Sequence, residues 1–395
     1  MDGCPIEDST KREESRVFVA PDRARAGSEE NDEKTKKHGS SVGSFFSTVR
    51  NLFKACGMMC AIGCPPVPEI ITRKLAFHPP VRGSGYTIHN REDHPDKKVD
   101  NIKHVGKNFV VRPVMEKRVQ KKEYDEMLNQ TTPFTVKTRE GNTLVCVQCA
   151  TKCETKSDQL NNQVIIFAQP NSSDLGGFMH PKHVSFYWLA DAFKMDVYAF
   201  DYSGYGYSTG QPSEKNLYAD IHAVYDYVKE TRPNKKICLI GYSIGTSAVT
   251  DLASLEPPGL SGVVLIAPFT SGIRLVTNDP LTPSTCCLDR FTNTDKISEI
   301  SVPVLLIHGS EDPVIPHDHS LELHKRLKFP VTPLIVHGAD HQSIFNGRYV
   351  APFNRIFRFL RNETRISEGT PDITQKTSQE MEMGTGTSKE NEGQD

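Results

Sequence analysis

Six short runs of apolar, largely β-branched residues punctuate the chain, at 164–167, 197–200, 237–240, 263–266, 304–307 and 334–336. Uninterrupted apolar runs of this length suit strands buried on both faces. Segments with helical spacing lie between them, notably 214–229, 243–254 and 317–327. Parallel neighbours need a crossover, usually a helix. The alternation therefore predicts an α/β fold, a mostly parallel central sheet covered by helices on both faces. Two earlier runs, near 134–137 and 144–148, predict a leading antiparallel hairpin. The folded unit is then expected over 131–361.

The flanks read differently. Residues 1–43 are polar, carry charges of both signs and lack hydrophobic periodicity, which predicts a disordered N-terminal extension. Residues 362–395 predict a disordered, acidic tail for the same reason. The stretch 67–130 is polar and is expected to be a linker or irregular preamble. No basic start followed by an apolar core is present, so no signal peptide is expected. No uncharged apolar stretch is long enough to span a bilayer. With that absence, the ten cysteines are expected as reduced thiols, in the cytosol or on the cytosolic face of a membrane. A formal net charge of −2 provides no field for phosphate backbones, so no nucleic-acid partner is expected.

Chemistry enters at Gly241-Tyr242-Ser243-Ile244-Gly245, a G-x-S-x-G pattern. The bare pattern is common, but here an apolar run precedes it and a helical pattern follows it. That context makes it a nucleophile elbow, a sharp strand-to-helix turn that lifts a serine hydroxyl above the sheet. The turn crowds the neighbouring backbone, so the residues two places from the serine must be small. The partners of such a serine follow in the order acid, then histidine, each past a later strand. Asp312 lies beyond the run 304–307, with Glu311 as its rival. His341 lies beyond 334–336 and is the expected base, His337 being expected to pack at the strand end. A serine hydroxyl alone is a weak nucleophile, so His341 takes its proton while Asp312 fixes the imidazole tautomer. Two backbone N–H groups must stabilise the tetrahedral oxyanion. The expected donors are Ile244, directly after the serine, and Asn171, in the loop after the run 164–167. This chemistry calls for no cofactor and no metal.

Further segments carry expectations. Asp201-Tyr202-Ser203-Gly204-Tyr205-Gly206-Tyr207-Ser208 follows another strand, and its tyrosines either line an acyl groove or close a Gly-rich loop by aromatic packing. Only about thirty residues separate the runs near 266 and 304, so no large cap domain is expected. In 44–66, Phe45, Val49, Leu52, Phe53, Cys56 and Cys60 recur at helical spacing, and Cys64 stands where Pro65 and Pro66 end the pattern. Cysteines on an amphipathic segment are S-acylation candidates, and two or three acyl chains give stable anchoring. A helix packed on the core is the competing reading. Cys146, Cys149 and Cys153 lack a clear fourth ligand and are expected as ordinary hairpin thiols.

These stretches resemble the alpha/beta hydrolase domain-containing 17 family of membrane-anchored protein depalmitoylases. The resemblance rests on residues 201–206, Pro212-Ser213-Glu214-Lys215-Asn216-Leu217-Tyr218-Ala219-Asp220-Ile221, Ser243-Ile244-Gly245-Thr246, and 249–254. It extends to Pro268-Phe269-Thr270-Ser271-Gly272 and to Cys64-Pro65-Pro66 with Lys74-Leu75-Ala76-Phe77. It implies an α/β-hydrolase fold, with the family's serine, aspartate and histidine falling on Ser243, Asp312 and His341. It further implies removal of palmitoyl groups from membrane-bound proteins, with Cys56, Cys60 and Cys64 acylated on the cytoplasmic face of plasma membrane and endosomes. Two departures stand out. About fifty residues precede the cysteine cluster, and Gln169-Pro170-Asn171 replaces the family's His-Gly-Asn. A lipid or small-ester carboxylesterase, and a catalytically weak membrane adaptor, are the alternatives.

Overall fold

A computed structural model of the chain describes residues 73–364, apart from 75, 95–96, 106–107, 115–119, 153–161, 181–182 and 283–288. The extension 1–43, the cysteine segment 44–66 and all but the first residues of the tail 362–395 lie outside the described residues.

An eight-stranded sheet organises the fold. Its strands are β3 (Thr131–Lys137), β4 (Thr143–Cys149), β5 (Gln163–Ala168), β6 (Val197–Phe200), β7 (Lys236–Tyr242), β8 (Leu260–Ile266), β9 (Val304–Gly309) and β10 (Leu334–Val336). Their order across the sheet is β10-β9-β8-β7-β5-β6-β4-β3. From β6 to β10 every pairing is parallel, and β4 joins β6 and β3 antiparallel. The six apolar runs become strands, and the leading hairpin forms as expected. Side chains alternate across this sheet. On β5, Val164, Ile166 and Ala168 face one core, while Ile165 and Phe167 face the other. The central strands β5, β6, β7, β8 and β9 are thus buried on both sides, which is why their sequences are almost wholly apolar, whereas β3 at the edge exposes Thr132, Thr135 and Lys137.

The helices cover both faces. Glu214–Thr231 and Gly245–Ser254 bury Leu217, Ile221, Val224, Ala248 and Leu252 on one side. Phe186–Phe193 and Ala351–Asn362 bury Phe186, Leu189, Phe353, Ile356 and Phe359 on the other. Ser213 opens the first of these helices by accepting from the Asn216 N–H, and Ser185 does the same for Trp188. Between β8 and β9 stand only the short helices Gly272–Thr277 and Asn293–Lys296 and one 3-10 turn among the described residues. No large cap domain is built there.

The stretch expected as a linker or irregular preamble, 67–130, is a correction. It holds β1 (Tyr86–Asn90) paired antiparallel with β2 (Phe109–Pro113), then a helix, Lys121–Gln130. Tyr86, Ile88, Val111 and Met127 are buried in the same core as β5 and the helix 186–193. The folded unit therefore begins well before 131. Scattered apolar residues among many polar ones hid this, because a small two-stranded sheet needs only a few inward positions to dock. The Tyr86 hydroxyl donates to Asp201 Oδ2 at 2.5 Å and accepts from the Tyr207 N–H at 3.1 Å. Replacing Tyr86 by Phe leaves both buried groups short of a partner. A loss of about 1–3 kcal/mol is expected, measured by urea unfolding. An unchanged midpoint would mean that the hydroxyl's two hydrogen bonds contribute nothing to stability.

Candidate active site

Strand β7 delivers Ser243 to the end of the sheet. The serine takes a left-handed backbone with φ 54° and is followed at once by the helix Gly245–Ser254. Its N–H donates to Ile266 O at 2.9 Å, and its carbonyl accepts from Thr246 N–H at 3.0 Å and Thr246 Oγ1 at 2.6 Å. A Cβ on Gly241 would lie 2.7 Å from Gly245 O, and one on Gly245 would run into the Ala168 carbonyl. Glycine at both positions is thus a steric requirement of the turn.

The other two residues arrive from the neighbouring strand ends. His341 Nε2 stands 3.0 Å from Ser243 Oγ, and His341 Nδ1 stands 2.7 Å from Asp312 Oδ2. Asp312 Oδ1 accepts the N–H groups of Val314 and Ile315, each at 2.8 Å. Burial alone would raise the Asp312 pKa. The facing His341, with hydrogen bonds from His308, His341 and the Ile315 N–H, overrides it and holds the carboxyl well below its ordinary range. Asp312 therefore keeps its negative charge to lower pH than an ordinary aspartate. Glu311, its sequence rival, is exposed. His337 is also exposed, not packed at the strand end, because β10 stops at Val336.

Three residues that sequence reasoning missed support this arrangement. His308 is fully buried at the end of β9, with Nε2 2.8 Å from Ile315 O and 3.4 Å from Asp312 Oδ2 and Nδ1 2.6 Å from Ser320 Oγ. Asp312 thus lies between two imidazoles. The Tyr242 hydroxyl donates to the His341 carbonyl, tying the base's loop to the elbow. His78, from the misread preamble, contacts Asn171. The only sequence signal was the residue type at a strand end for His308 and inside the elbow for Tyr242; His78 carried none.

Ile244 occupies the helix cap position next to Ser243. Asn171 lies in the loop after β5, whose last residue, Ala168, pairs in register with Gly241. Gln169, where the family's histidine falls, is buried; its Nε2 donates to Asp201 Oδ1 at 2.8 Å and to Phe200 O at 3.2 Å. The tyrosines of 201–208 close their loop by packing. Tyr202 is edge-on to both Phe200 and Tyr205, and its hydroxyl donates to Gln169 O at 2.5 Å. Among the described residues no group of three or more His, Cys, Asp or Glu is set to hold a metal. Cys146 and Cys149 are buried on β4, burial pushing the Cys149 thiol up to about 12; Cys153 lies outside the described residues.

The fold and this constellation are those of the α/β-hydrolase class of serine hydrolases. A family described as serine aminopeptidase, S33, matches residues 184–291. Human alpha/beta hydrolase domain-containing protein 17B is 34% identical over 322 residues, covering 78% of this chain and 96% of its own. Alpha/beta hydrolase domain-containing protein aho-3 of Caenorhabditis elegans is 35% identical over 326 residues, covering 81% and 87%. A solved α/β serine hydrolase without a lid, from Xanthomonas campestris, is 21% identical, with a TM-score of 0.43, covering 61% and 97%. The chain belongs to the alpha/beta hydrolase domain-containing protein 17 family and is a hydrolase.

Behind the site, Asp201 is fully buried, and burial raises its pKa to about 7, with the nearby Asp174 carboxylate adding to the rise. Burial raises Asp220 to about 7 in the same way. The native chain therefore holds these protons to higher pH than the unfolded chain, whose aspartates titrate near ~3.9. The share of stability that these two aspartates contribute is expected to fall as pH rises from about 4 to about 7, by the order of a few kcal/mol, against the opposite trend of buried His319, whose pKa burial lowers to about 4. Asp201→Asn should remove its share of that slope and leave that of Asp220, as urea midpoints across the pH range will report. An unchanged slope would place the titration elsewhere.

Proposed function

We propose that the protein is an S-depalmitoylase that cleaves long-chain acyl thioesters on membrane-associated proteins. The observation that carries the reading is the unbroken series Ser243 Oγ, His341 Nε2, His341 Nδ1, Asp312 Oδ2, with links of 3.0 and 2.7 Å. In the first step Ser243 Oγ attacks the thioester carbonyl carbon and its proton passes to His341 Nε2. Asp312 stabilises the imidazolium. The N–H groups of Ile244 and Asn171 are the proposed donors to the oxyanion. When the intermediate collapses, the carbon–sulfur bond breaks and the cysteine thiolate of the substrate takes the proton from His341. Water then attacks the acyl-serine while His341 takes its proton, the bond between the acyl carbon and Ser243 Oγ breaks, Oγ takes the proton back from His341, and the fatty acid leaves. A thiolate, with a parent pKa of about 8.5, leaves with less acid assistance than an alkoxide.

Family membership supports this substrate class, as does the short connection between β8 and β9, which leaves room for an acyl chain carried on a bulky protein. Cys56, Cys60 and Cys64 are the proposed acylation sites that hold the enzyme on the cytoplasmic face of membranes. Among the described residues no helix is long and apolar enough to cross one.

Labelling by a fluorophosphonate probe is expected for the wild type and absent in Ser243→Ala. Turnover of a palmitoyl-thioester peptide is expected to fall about 10⁶-fold in that variant. Faster turnover of acylglycerols or simple esters than of the thioester would overturn the substrate class in favour of a carboxylesterase, and a folded wild type that does not label would favour the adaptor. Separately, replacing Cys56, Cys60 and Cys64 together by Ser is expected to shift the protein from membrane to soluble fractions with probe labelling intact. Persistent membrane binding would refute the anchor.

A further inference from the structure

The loop that carries Asn171 is gripped by the chain segment at the front of the described structure. Asn171 Oδ1 accepts from the His78 N–H at 3.0 Å, the Tyr205 hydroxyl at 2.7 Å and the Ser172 N–H at 3.0 Å. Three donors converging on one atom fix which end of the amide is oxygen. Nδ2 is then the end that donates to Ala76 O at 2.8 Å and meets His78 Nδ1 at 3.1 Å. His78 Nδ1 must accept, so the imidazole is neutral with its proton on Nε2. Burial lowers the His78 pKa, which favours that form.

The grip has a purpose in backbone terms. Ser172, the next residue, holds a left-handed φ of 58° without being glycine. Such a conformation persists only where its surroundings over-determine it. The gripping segment is itself fixed, since Phe77 is buried and edge-on to Phe291 with centroids 5.8 Å apart. The loop also abuts the elbow, because a Cβ on Gly245 would run into the carbonyls of Ala168 and Gln169. A shift of Asn171 is therefore a shift of the backbone beside Ser243.

We propose that the Ala76–His78 segment is a clamp on the oxyanion loop, with His78 a positioning residue that acts on the reaction through the Asn171 side chain. This rests on the reading of Asn171 as the second oxyanion donor. Only about a dozen residues separate Cys64 from Ala76, so the chain leaving the proposed anchor ends on the catalytic loop.

The test is a double-mutant cycle on the full chain with His78→Leu, Asn171→Ala and the pair, reading kcat and KM for a thioester substrate and the rate of fluorophosphonate labelling. Each single change is expected to lower kcat and labelling between about 10- and 100-fold, with KM within about twofold. The double variant should be no worse than the weaker single one, since both break one linkage. His78→Asn keeps an acceptor at the δ position and should restore most of the rate. Thermal midpoints of all variants guard against a folding loss. His78→Leu acting at the wild-type rate, additive effects, or no rescue by Asn at an unchanged midpoint would each overturn the clamp alone. A folded wild type that does not label would overturn the hydrolase mechanism and the clamp with it.

Discussion

The left-handed turn at Ser243 is the constraint on which the site depends. A strand buried on both faces ends and a helix begins within two residues, and only a positive φ at the serine permits it. The crowding that results makes the elbow a hub. Gly245 brings the β5 loop against the helix start, and Tyr242 reaches sideways to hold the carbonyl of His341. Of the parts that the proposed reaction needs beside Ser243, two, the β5 loop and the base, are thus registered against one turn. The third, Asp312, is registered against His341 and two backbone N–H groups.

Buried polar groups tie the segments around this hub together. Asp201 collects Gln169 Nε2, the Leu175 N–H and the Tyr86 hydroxyl, while Asp220 takes both the N–H and the hydroxyl of Ser203. Asp201 ties the loop after β6 to the loop after β5 and to β1, and Asp220 ties the helix Glu214–Thr231 to the loop after β6. Such networks hold geometry well when every member is satisfied, and their cost is desolvation, visible in the raised pKa values of both aspartates. In this setting Gln169 is a neutral donor to Asp201. The loop keeps its attachment without a charge that could be lost.

Most of the sheet was legible because its strands are buried on both faces and therefore uniformly apolar. Ser243, Asp312 and His341 were legible because the fold orders its reacting groups along the chain. The sheet of β1 and β2 was not, since Tyr86, Ile88, Phe109 and Val111 are spaced among polar residues that face water. Nor were His78, His308 and Tyr242, whose roles arise from contacts between residues far apart in sequence. Composition carries no trace of such pairings. The exposure of His337 was misjudged because β10 ends with its apolar run at Val336 and leaves His337 outside the strand.

The small front sheet also bears on how the chain is made. Tyr86 finds its buried partner Asp201 only 115 residues later, and His78 meets Asn171 after 93. During synthesis the front of the chain must wait, with Tyr86, Ile88 and Val111 uncovered, until the strands and loops that receive it have emerged. Contacts of such long range slow folding and leave apolar surface open to association. Asp312 and His341 emerge later still, so a nascent molecule acquires its reactive geometry only once β9 and β10 have joined the sheet.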